Sequence, residues 1–371
     1  MWRRILALVV KEFLTLFKDK QSRFVTIVPP LIQLVVFGYA ASFDLNSVPY
    51  AVYDRDQGQG QAGRTLLASF AGSPSFELRQ MVQRQDQIAE LIDNREVLLV
   101  LQLEPQFSEK LAVGESAQLQ VLVDGRNSNT AQIAVNYAAT VLNAFNAEWI
   151  AQHGLRAPPA HLVSRAWFNP NLESRWFFIP GLVGLLTLVV TMVVTSLSVA
   201  REREQGTFDQ LLVTPLRPFE ILIGKATPGF VVGLAEGTLV ILLAQFWFGV
   251  PLVGGLGVLY LGLVLFLLAA IGIGLAISSL AATLQQALLG GFLFMVPAVI
   301  LSGFATPIAN MPVAVQMLTL LNPLRYFLIV LRGVFLEGAP LSVLIDQLWP
   351  LALIAGFTLT AAAWLFRHRM Y

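Results

Sequence analysis

Few residues of this chain have types and spacings that could do chemistry, and they do not form the active site of an enzyme. Its 371 residues include no cysteine, and the three histidines, His153, His161 and His368, are too scattered to predict a metal site. Gly224 and Lys225 are followed by alanine and lack the upstream glycine of a G-x-x-x-x-G-K-[ST] phosphate loop. We therefore expect no catalytic residue, and no cofactor or metal bound by this chain.

The charged segment 201–225 lies between two long apolar runs and has the most distinctive pattern, REREQGTFDQLLVTPLRPFEILIGK. Glu202 and Glu204 are expected at the beginning of a short helix, where acidic residues favour the positive end of the helix dipole. Phe208 and the apolar residues 211–213 are expected to form an exposed ridge that docks into a groove of another protein. A routine loop without a partner is the alternative that these residue types leave open.

Glu236 lies within an apolar run and is the other residue that could take part in chemistry. A carboxylate inside a membrane is costly and usually functional, so Glu236 is expected to bind a cationic substrate or to pair with Arg325 or Arg332. A simple hydrogen bond to neighbouring protein is the alternative. An adaptable apolar pocket on the substrate path is predicted from three residues of a later run, Phe292, Phe294 and Met295. Ordinary core packing is the other reading of these three.

The elements that position these residues are predicted to be membrane spans. Charged residues make up 13% of the chain, against about a quarter in soluble domains. Six apolar runs are predicted to span a membrane: 24–43, 176–200, 226–250, 256–278, 286–303 and 348–366. Lys and Arg number six in 1–23, four in 201–225 and two in 367–369, which predicts that both termini and the charged segment are cytoplasmic.

The chain begins with a segment, 1–23, whose apolar residues recur at helical spacing among basic residues. This pattern predicts a cytoplasmic amphipathic helix that lies at the membrane interface, and a plain basic flank is the alternative. The run 24–43 is longer than the apolar region of a usual signal peptide, so we read it as the first span rather than a cleaved segment.

The polar segment 44–175 is long enough to be a domain of its own outside the cytoplasm, inserted ahead of a transmembrane domain, 176–371. Its pattern alternates between strands and helices, which predicts a small α/β domain. Strands are predicted at 48–53, 76–82, 97–103 and 119–123, and helices at 64–70, 85–94, 105–111 and 129–152. No nucleophile–base pair, metal spacing or phosphate loop is visible in this segment.

Residues 304–347 are apolar and interrupted by four prolines, so they do not resemble a simple loop. The stretches 311–321 and 324–336 are each too short to cross a membrane comfortably. A re-entrant helical hairpin on the outer side, shielded by neighbouring spans, is predicted. An ordinary outer loop with an interfacial helix is the alternative.

The run from Glu202 to Arg217 closely resembles the signature loop of the ABC-2 type transporter permeases. The stretch Asn322-Pro323-Leu324-Arg325-Tyr326 looks like that family's motif ahead of the last span. The order of a basic helix, one span, a large outer domain and five spans is similar to the export subfamily that includes bacterial drug and lipid exporters. The resemblance implies contact with a separate ATPase through seven residues: Glu202, Glu204, Gly206, Thr207, Phe208, Leu211 and Pro215.

The resemblance further implies a half-transporter in the bacterial inner membrane that pairs with itself or a paralogue. ATP and magnesium would be held by the partner ATPase, and an amphipathic or hydrophobic substrate, drug-like or lipid-like, would move outward. A periplasmic adaptor is a possible further partner, and no nucleic-acid partner is expected. Two alternatives stay open: a receptor or scaffold with a ligand-sensing outer domain, and an ion-coupled secondary transporter, for which several intramembrane ionisable groups would be expected.

Overall fold

A computed structural model describes residues 2–18, 24, 28–29, 32–33, 35–36, 47–56, 60–126, 128–153, 173–208 and 216–368. Most of the predicted first span, 24–43, therefore lies outside the described residues. These residues divide into two compact units, one within Phe43–Arg165 and the other in the remainder of the chain. The larger unit begins with helix α1, Trp2–Lys18, as the amphipathic pattern predicted.

The smaller unit is built on a mixed four-stranded sheet. Its elements are β1 Val48–Asp54, α2 Gln61–Ala71, β2 Phe76–Val82, α3 Asp86–Asp93, β3 Leu99–Leu103, α4 Phe107–Ala112, β4 Leu119–Val123 and α5 Ser128–His153. The strand order is β2-β1-β3-β4, in which β1 is parallel to β2 and β3, and β4 is antiparallel to β3. Each predicted strand is present. Alternate side chains such as Tyr50 and Ala51 enter separate apolar cores on the two faces of the sheet.

The larger unit is helical. After α1 it contains α6 Ser174–Glu204, α7 Pro218–Phe246, α8 Leu256–Leu280, α9 Leu284–Ile300, α10 Val313–Thr319, α11 Pro323–Arg332 and α12 Leu341–His368. Among the described residues, four helices, α6, α7, α8 and α12, are long and apolar enough to cross a membrane. This confirms a membrane protein that is mainly helical.

The remaining apolar helices differ in length and geometry from simple spans. Helix α9 has only 17 residues. Helix α11 continues as a π-helical turn, Gly333–Glu337, and this combined segment is bent by 80° from α10. The bent pair would make a fifth span if it crosses the membrane as one unit. The predicted count of six stays a prediction, as does the re-entrant hairpin.

Helices α6 and α7 approach closely along a seam of glycine and threonine. A Cβ atom added to Gly233 would lie 2.4 Å from Thr191 Oγ1 and 2.5 Å from Leu267 Cδ2. Gly229 faces Thr195 in the same way, and Gly237 faces Thr187. Because these residues recur every four positions on both antiparallel helices, the seam allows close backbone approach over about two turns.

Candidate functional site

Five helices meet at one end of the helical bundle, which we call the α1 end. Helices α6, α8 and α12 end there, and α7 and α9 begin there. Helix α1 packs against the first turns of α7, where a Cβ atom on Gly224 would lie 2.3 Å from Leu8 Cδ2. The segment that joins α6 to α7 leaves the bundle at this end, so the predicted coupling residues are concentrated here.

A cluster of four charged side chains joins α1, α6 and α7. Lys225 Nζ lies 2.6 Å from Glu202 Oε2 and 3.3 Å from Glu12 Oε1. Lys11 pairs with Glu12 at 3.2 Å and also with Glu202. The ammonium group of Lys225 additionally donates to the carbonyl oxygen of Ser198 at 3.2 Å. Two cations therefore balance two carboxylates, which we call the charge cluster.

Glu202 lies in the last turn of α6, where its negative charge is unfavourable unless nearby cations balance it. Helix α6 runs without a break through Glu204, so Glu202 and Glu204 end a helix, and the prediction that they begin one is wrong. Carboxylates are unfavourable in the last turn of a helix because the dipole is negative there. Burial opposes the charge of Lys11, but its hydrogen bond to Glu202 and the charges of Glu12 and Glu202 outweigh this and raise its pKa.

Arg203 and Glu204, the next two residues of α6, hold the ends of two other helices. Arg203 donates through one guanidinium nitrogen to the carbonyl oxygens of Ser279 and Ala281, at 2.7 and 3.2 Å, where α8 ends. The carboxylate of Glu204 accepts from the backbone N–H of Leu284 at 2.6 Å, in the first turn of α9. Each contact satisfies a backbone group that has no partner within its own helix and opposes the charge of the helix dipole there.

The chain leaves α6 through a turn and then meets the last helix. Gly206 has a φ angle of +69°, a conformation that glycine adopts without strain, and it is exposed. Phe208 is only 8% exposed and packs edge-on against Phe366 of α12, with ring centroids 6.1 Å apart. The guanidinium carbon of Arg203 lies 5.0 Å from the Phe208 ring centroid. Phe208 therefore faces the chain's own core, which differs from the exposed ridge that we expected.

Side chains at the end of α6 contact five other helices of the larger unit. Glu202, Arg203, Glu204 and Phe208 reach α1, α7, α8, α9 and α12 between them. Glu204, Gln205 and Gly206 are exposed at this point. A force applied to the exposed turn would reach five helices through direct contacts. Leu211 and Pro215 lie outside the described residues, and the ATPase contact assigned to Glu202, Glu204, Gly206, Thr207 and Phe208 stays a prediction.

Sequence reasoning missed the other members of the charge cluster around Glu202. Glu12 occupies the buried face of α1 together with Ile5, Leu8 and Leu16, and a charged residue at the spacing of an apolar face is the signal that could have identified it. Lys225 lies near the start of an apolar helix, where a fully buried ammonium group requires an ion-pair partner.

The second predicted motif stabilises the bend between α10 and α11. The Asn322 side-chain oxygen accepts from the N–H of Leu324 at 3.1 Å, and its amide donates to the carbonyl oxygen of Ala298 in α9 at 2.7 Å. Arg325 donates to the hydroxyl of Thr319, and the Tyr326 hydroxyl donates to the carbonyl oxygen of Leu320 at 2.9 Å. Pro323 occupies the first position of α11, where its missing N–H costs little. The contacts of Asn322 and Tyr326 thus satisfy two backbone groups at the bend, the Leu324 N–H and the Leu320 carbonyl, and tie the bend to α9 through Ala298.

The predicted substrate-path residues do not form one pocket within the described part of the chain. Glu236 is 9% exposed, and neither of its carboxylate oxygens has a hydrogen-bond partner among the described residues. Arg332 lies instead over the ring of Phe177, with its guanidinium carbon 3.8 Å from the centroid. In α9, Phe292 is 59% exposed whereas Met295 is 6% exposed. The side chain of Phe294 is intermediate and packs against the core.

Known proteins resemble this chain over its whole length. The sequence profile of the family described as "ABC-2 family transporter protein" matches residues 20–364. The "Probable multidrug ABC transporter permease YbhR" of Escherichia coli (strain K12) is 40% identical over 371 residues, which cover 100% of both chains. The "Probable multidrug ABC transporter permease YbhS" of the same strain is 32% identical over 358 residues, 95% of this chain and 93% of that one. The "Inner membrane transport permease YhhJ" of that strain is 29% identical and covers 98% of this chain and 97% of its own.

Proposed function

The chain belongs to the ABC-2 family of transporter proteins, and on that basis we propose that it is the permease subunit of an exporter powered by ATP. A separate ATP-binding subunit hydrolyses ATP and holds the nucleotide and magnesium, and this chain is not an enzyme by itself. An amphipathic or hydrophobic substrate, drug-like or lipid-like, moves outward through the permease. The multidrug permease names of YbhR and YbhS support this substrate class.

The observation that carries the proposal is the attachment of five helices to the end of α6. The ATP-binding subunit contacts the exposed turn at Glu204, Gln205 and Gly206 and the loop that contains Leu211 and Pro215. Movement of that turn displaces α1 and α7 through the charge cluster. It displaces α8, α9 and α12 through Arg203, Glu204 and Phe208. Glu202, Thr207 and Phe208 act by transmitting the movement within the chain.

The proposed topology has six spans, with both termini on the cytoplasmic side of a bacterial inner membrane. The basic residues of 1–23, 201–225 and 367–369 support this orientation. The strand-and-helix unit lies outside the cytoplasm, and the bent pair α10–α11 forms the re-entrant segment, which its 80° bend supports. Two permease chains, identical or paralogous, make the transport path, and a periplasmic adaptor is a further partner of the outer unit.

Glu236 is proposed to contact the substrate. Its buried carboxylate lacks a hydrogen-bond partner among the described residues, and an intramembrane acid in that state favours a cationic ligand. The same observation favours one second candidate function, an ion-coupled transporter in which Glu236 takes up the driving cation. The two differ in their energy source, because only the exporter requires an ATP-binding subunit.

The experiment is a gentle affinity purification from native membranes, followed by reconstitution and transport measurement. An ATP-binding subunit in stoichiometric amount, and transport that stops when ATP is omitted, would support the exporter. Transport that follows an imposed proton or sodium gradient in the absence of ATP would instead support the ion-coupled candidate. The receptor alternative predicts neither activity.

A further inference from the structure

A groove between α7, α8 and α12 at the α1 end of the bundle has no role in the mechanism above. Its volume is about 510 Å³, and its walls include Phe219, Leu222 and Ala226 of α7, Leu268 of α8, and Leu359 and Ala363 of α12. The volume lies within the range of about 300–1,000 Å³ that is typical of small-molecule sites. The groove opens at the side of the bundle as well as at its end, because Thr360 in its wall is exposed although it lies well inside α12, and Phe219 at the end is 64% exposed.

The groove offers a ligand almost no polar contact. Two threonines lie in its walls, but both hydroxyls are engaged within their own helices. Thr227 donates to the carbonyl oxygen of Ile223 at 2.7 Å, and Thr360 donates to that of Gly356 at 2.8 Å. The remaining wall is aliphatic and aromatic. An occupant is therefore held by apolar contact alone, as a hydrocarbon chain is.

The length of the groove corresponds to one leaflet of a membrane. Its lining runs along α7 from Phe219 to Phe230, eleven positions further on. At about 1.5 Å per residue this is about 16 Å, roughly half of the ~30 Å hydrocarbon core of a bilayer. Because the α1 end is the end of four apolar helices, the groove begins at the level of the headgroups and ends near the bilayer centre.

Two exposed arginines lie at the headgroup end. Arg217 immediately precedes α7 and is two residues before Phe219, and Arg367 follows Ala363 by four positions on α12. Residues four apart share one face of a helix, so Arg367 continues the groove face of α12 beyond its apolar part. The N-terminus of α7 is already capped by the carboxylate of Glu220, which accepts from the backbone N–H of Arg217 at 2.9 Å, so the positive charge at this end comes from the two guanidinium groups. The mouth of the groove is therefore cationic, whereas its walls are apolar.

We propose that this groove binds one acyl chain of an anionic phospholipid, with the lipid phosphate held by Arg217 and Arg367. Charge complementarity at the mouth and a leaflet-long apolar wall favour this occupant over a neutral lipid. Guanidinium groups bind phosphate oxygens with paired hydrogen bonds, which suits them to this role. The site depends on the chain being a membrane protein and on no particular substrate, topology or energy source.

The absence of cysteine from the chain permits a clean test. Ala363→Cys, labelled with a bimane fluorophore, reports on the groove, and Leu353→Cys, which is 64% exposed on the same helix, reports on ordinary lipid contact. The full chain is placed in nanodiscs that contain phosphatidylglycerol or phosphatidylcholine with brominated chains, which quench the fluorophore. We expect quenching at Ala363→Cys to prefer the anionic lipid by roughly fivefold for each arginine, the equivalent of about 1 kcal/mol.

Arg217→Gln and Arg367→Gln should each reduce this preference, and the double variant should abolish it. Both residues are exposed, so these variants leave the packed helices intact, and Leu353→Cys should show no lipid preference in any background. Ala226→Trp, which fills the groove, should reduce quenching by both lipids at Ala363→Cys. Equal quenching by the two lipids would overturn the proposal. Protection from every brominated lipid, or a disulfide between Ala363→Cys of two copies, would overturn it by showing that protein covers the groove.

Discussion

The ammonium group of Lys225 in α7 lies 2.6 Å from the carboxylate of Glu202 in α6, and the Lys225 side chain has no exposed surface. The segment that joins the two helices is therefore closed at its base by a buried ion pair. Glu12 and Lys11 of α1 complete the arrangement. A displacement of the joining segment cannot be absorbed at its base without separating these charges.

Removal of one charge from this cluster should destabilise the protein strongly. Lys225→Met leaves two carboxylates facing Lys11 alone, and we expect a loss of about 3–5 kcal/mol because an uncompensated charge stays buried. Glu202→Met combined with Lys225→Met should recover most of that loss. Thermal unfolding of the purified chain in nanodiscs measures both variants.

Lys110→Met provides the control, since Lys110 forms a partly exposed ion pair with Glu104 in the smaller unit. That substitution should cost no more than about 1 kcal/mol. A double variant in the charge cluster that is no more stable than Lys225→Met alone would mean that charge balance is not what holds the three helices together.

Substitution of Phe208 tests whether its side chain packs in the chain's own core or contacts the ATP-binding subunit directly. Because its ring is buried against Phe366, Phe208→Ala should lower stability by about 3 kcal/mol or more, and a double-mutant cycle with Phe366→Ala should show coupling. Phe246→Ala, at a position that is 77% exposed, should change stability little. If Phe208→Ala weakened binding of the ATP-binding subunit at unchanged melting temperature, the side chain would face the partner instead.

The close seam between α6 and α7 predicts a large effect from a side chain at Gly233. A Cβ atom there would lie 2.4 Å from Thr191 Oγ1, so Gly233→Leu should separate the helices and prevent a stable fold. Gly356→Leu is the matched control, because a Cβ atom on Gly356 of α12 meets no atom within 4 Å. Size-exclusion profiles and melting temperatures of the two variants should therefore differ sharply. Similar behaviour would contradict the close approach at Gly233.

Asn322 is predicted to stabilise the bend before α11. Asn322→Ala removes the cap of α11 and leaves the Ala298 carbonyl oxygen without its amide donor, so we expect a loss of about 2 kcal/mol. Asn310→Ala, at an exposed position, should be close to neutral. Hydrogen exchange at the end of α9 is the sharper readout, since it should rise in Asn322→Ala alone. Unchanged hydrogen exchange at the end of α9 would show that the Asn322 side chain does not stabilise that helix.

Glu236→Gln should alter substrate choice rather than assembly. Without the carboxylate charge, we expect transport of cationic substrates to lose about tenfold in apparent affinity, which corresponds to about 1.4 kcal/mol, while neutral substrates are little affected. Glu337→Gln, at an exposed position, serves as the control. Equal loss for cationic and neutral substrates would assign Glu236 a purely structural role.

Local patterns in the sequence predicted local structure well. The apolar run 97–103 contains the buried strand β3, and the amphipathic pattern of 1–23 contains helix α1, Trp2–Lys18. Both signals depend on residues that are close in the chain. They identify an element without information about what packs on it.

The charge cluster could not be predicted in the same way, because Lys225 and Glu12 are 213 positions apart. The residues that flank Lys225 and Glu12 in the sequence do not indicate that the two side chains form an ion pair. The end of α6 was also misplaced, because an acidic pair resembles a helix start. Only cations brought in from α1 and α7 make Glu202 acceptable at a helix end. The buried position of Phe208 depends on Phe366, which lies in the last helix.

Crosslinking from a single cysteine tests most directly whether an ATP-binding subunit engages the end of α6. Gln205→Cys places the chain's one thiol in the exposed turn, and Val253→Cys, which is 64% exposed, places it at the opposite end of the helices. We predict that a short thiol-to-amine crosslinker in native membranes joins Gln205→Cys, and not Val253→Cys, to an ATP-binding subunit identified by mass spectrometry. Two results would contradict coupling through α6: the subunit crosslinks to Val253→Cys but not to Gln205→Cys, or it crosslinks to neither.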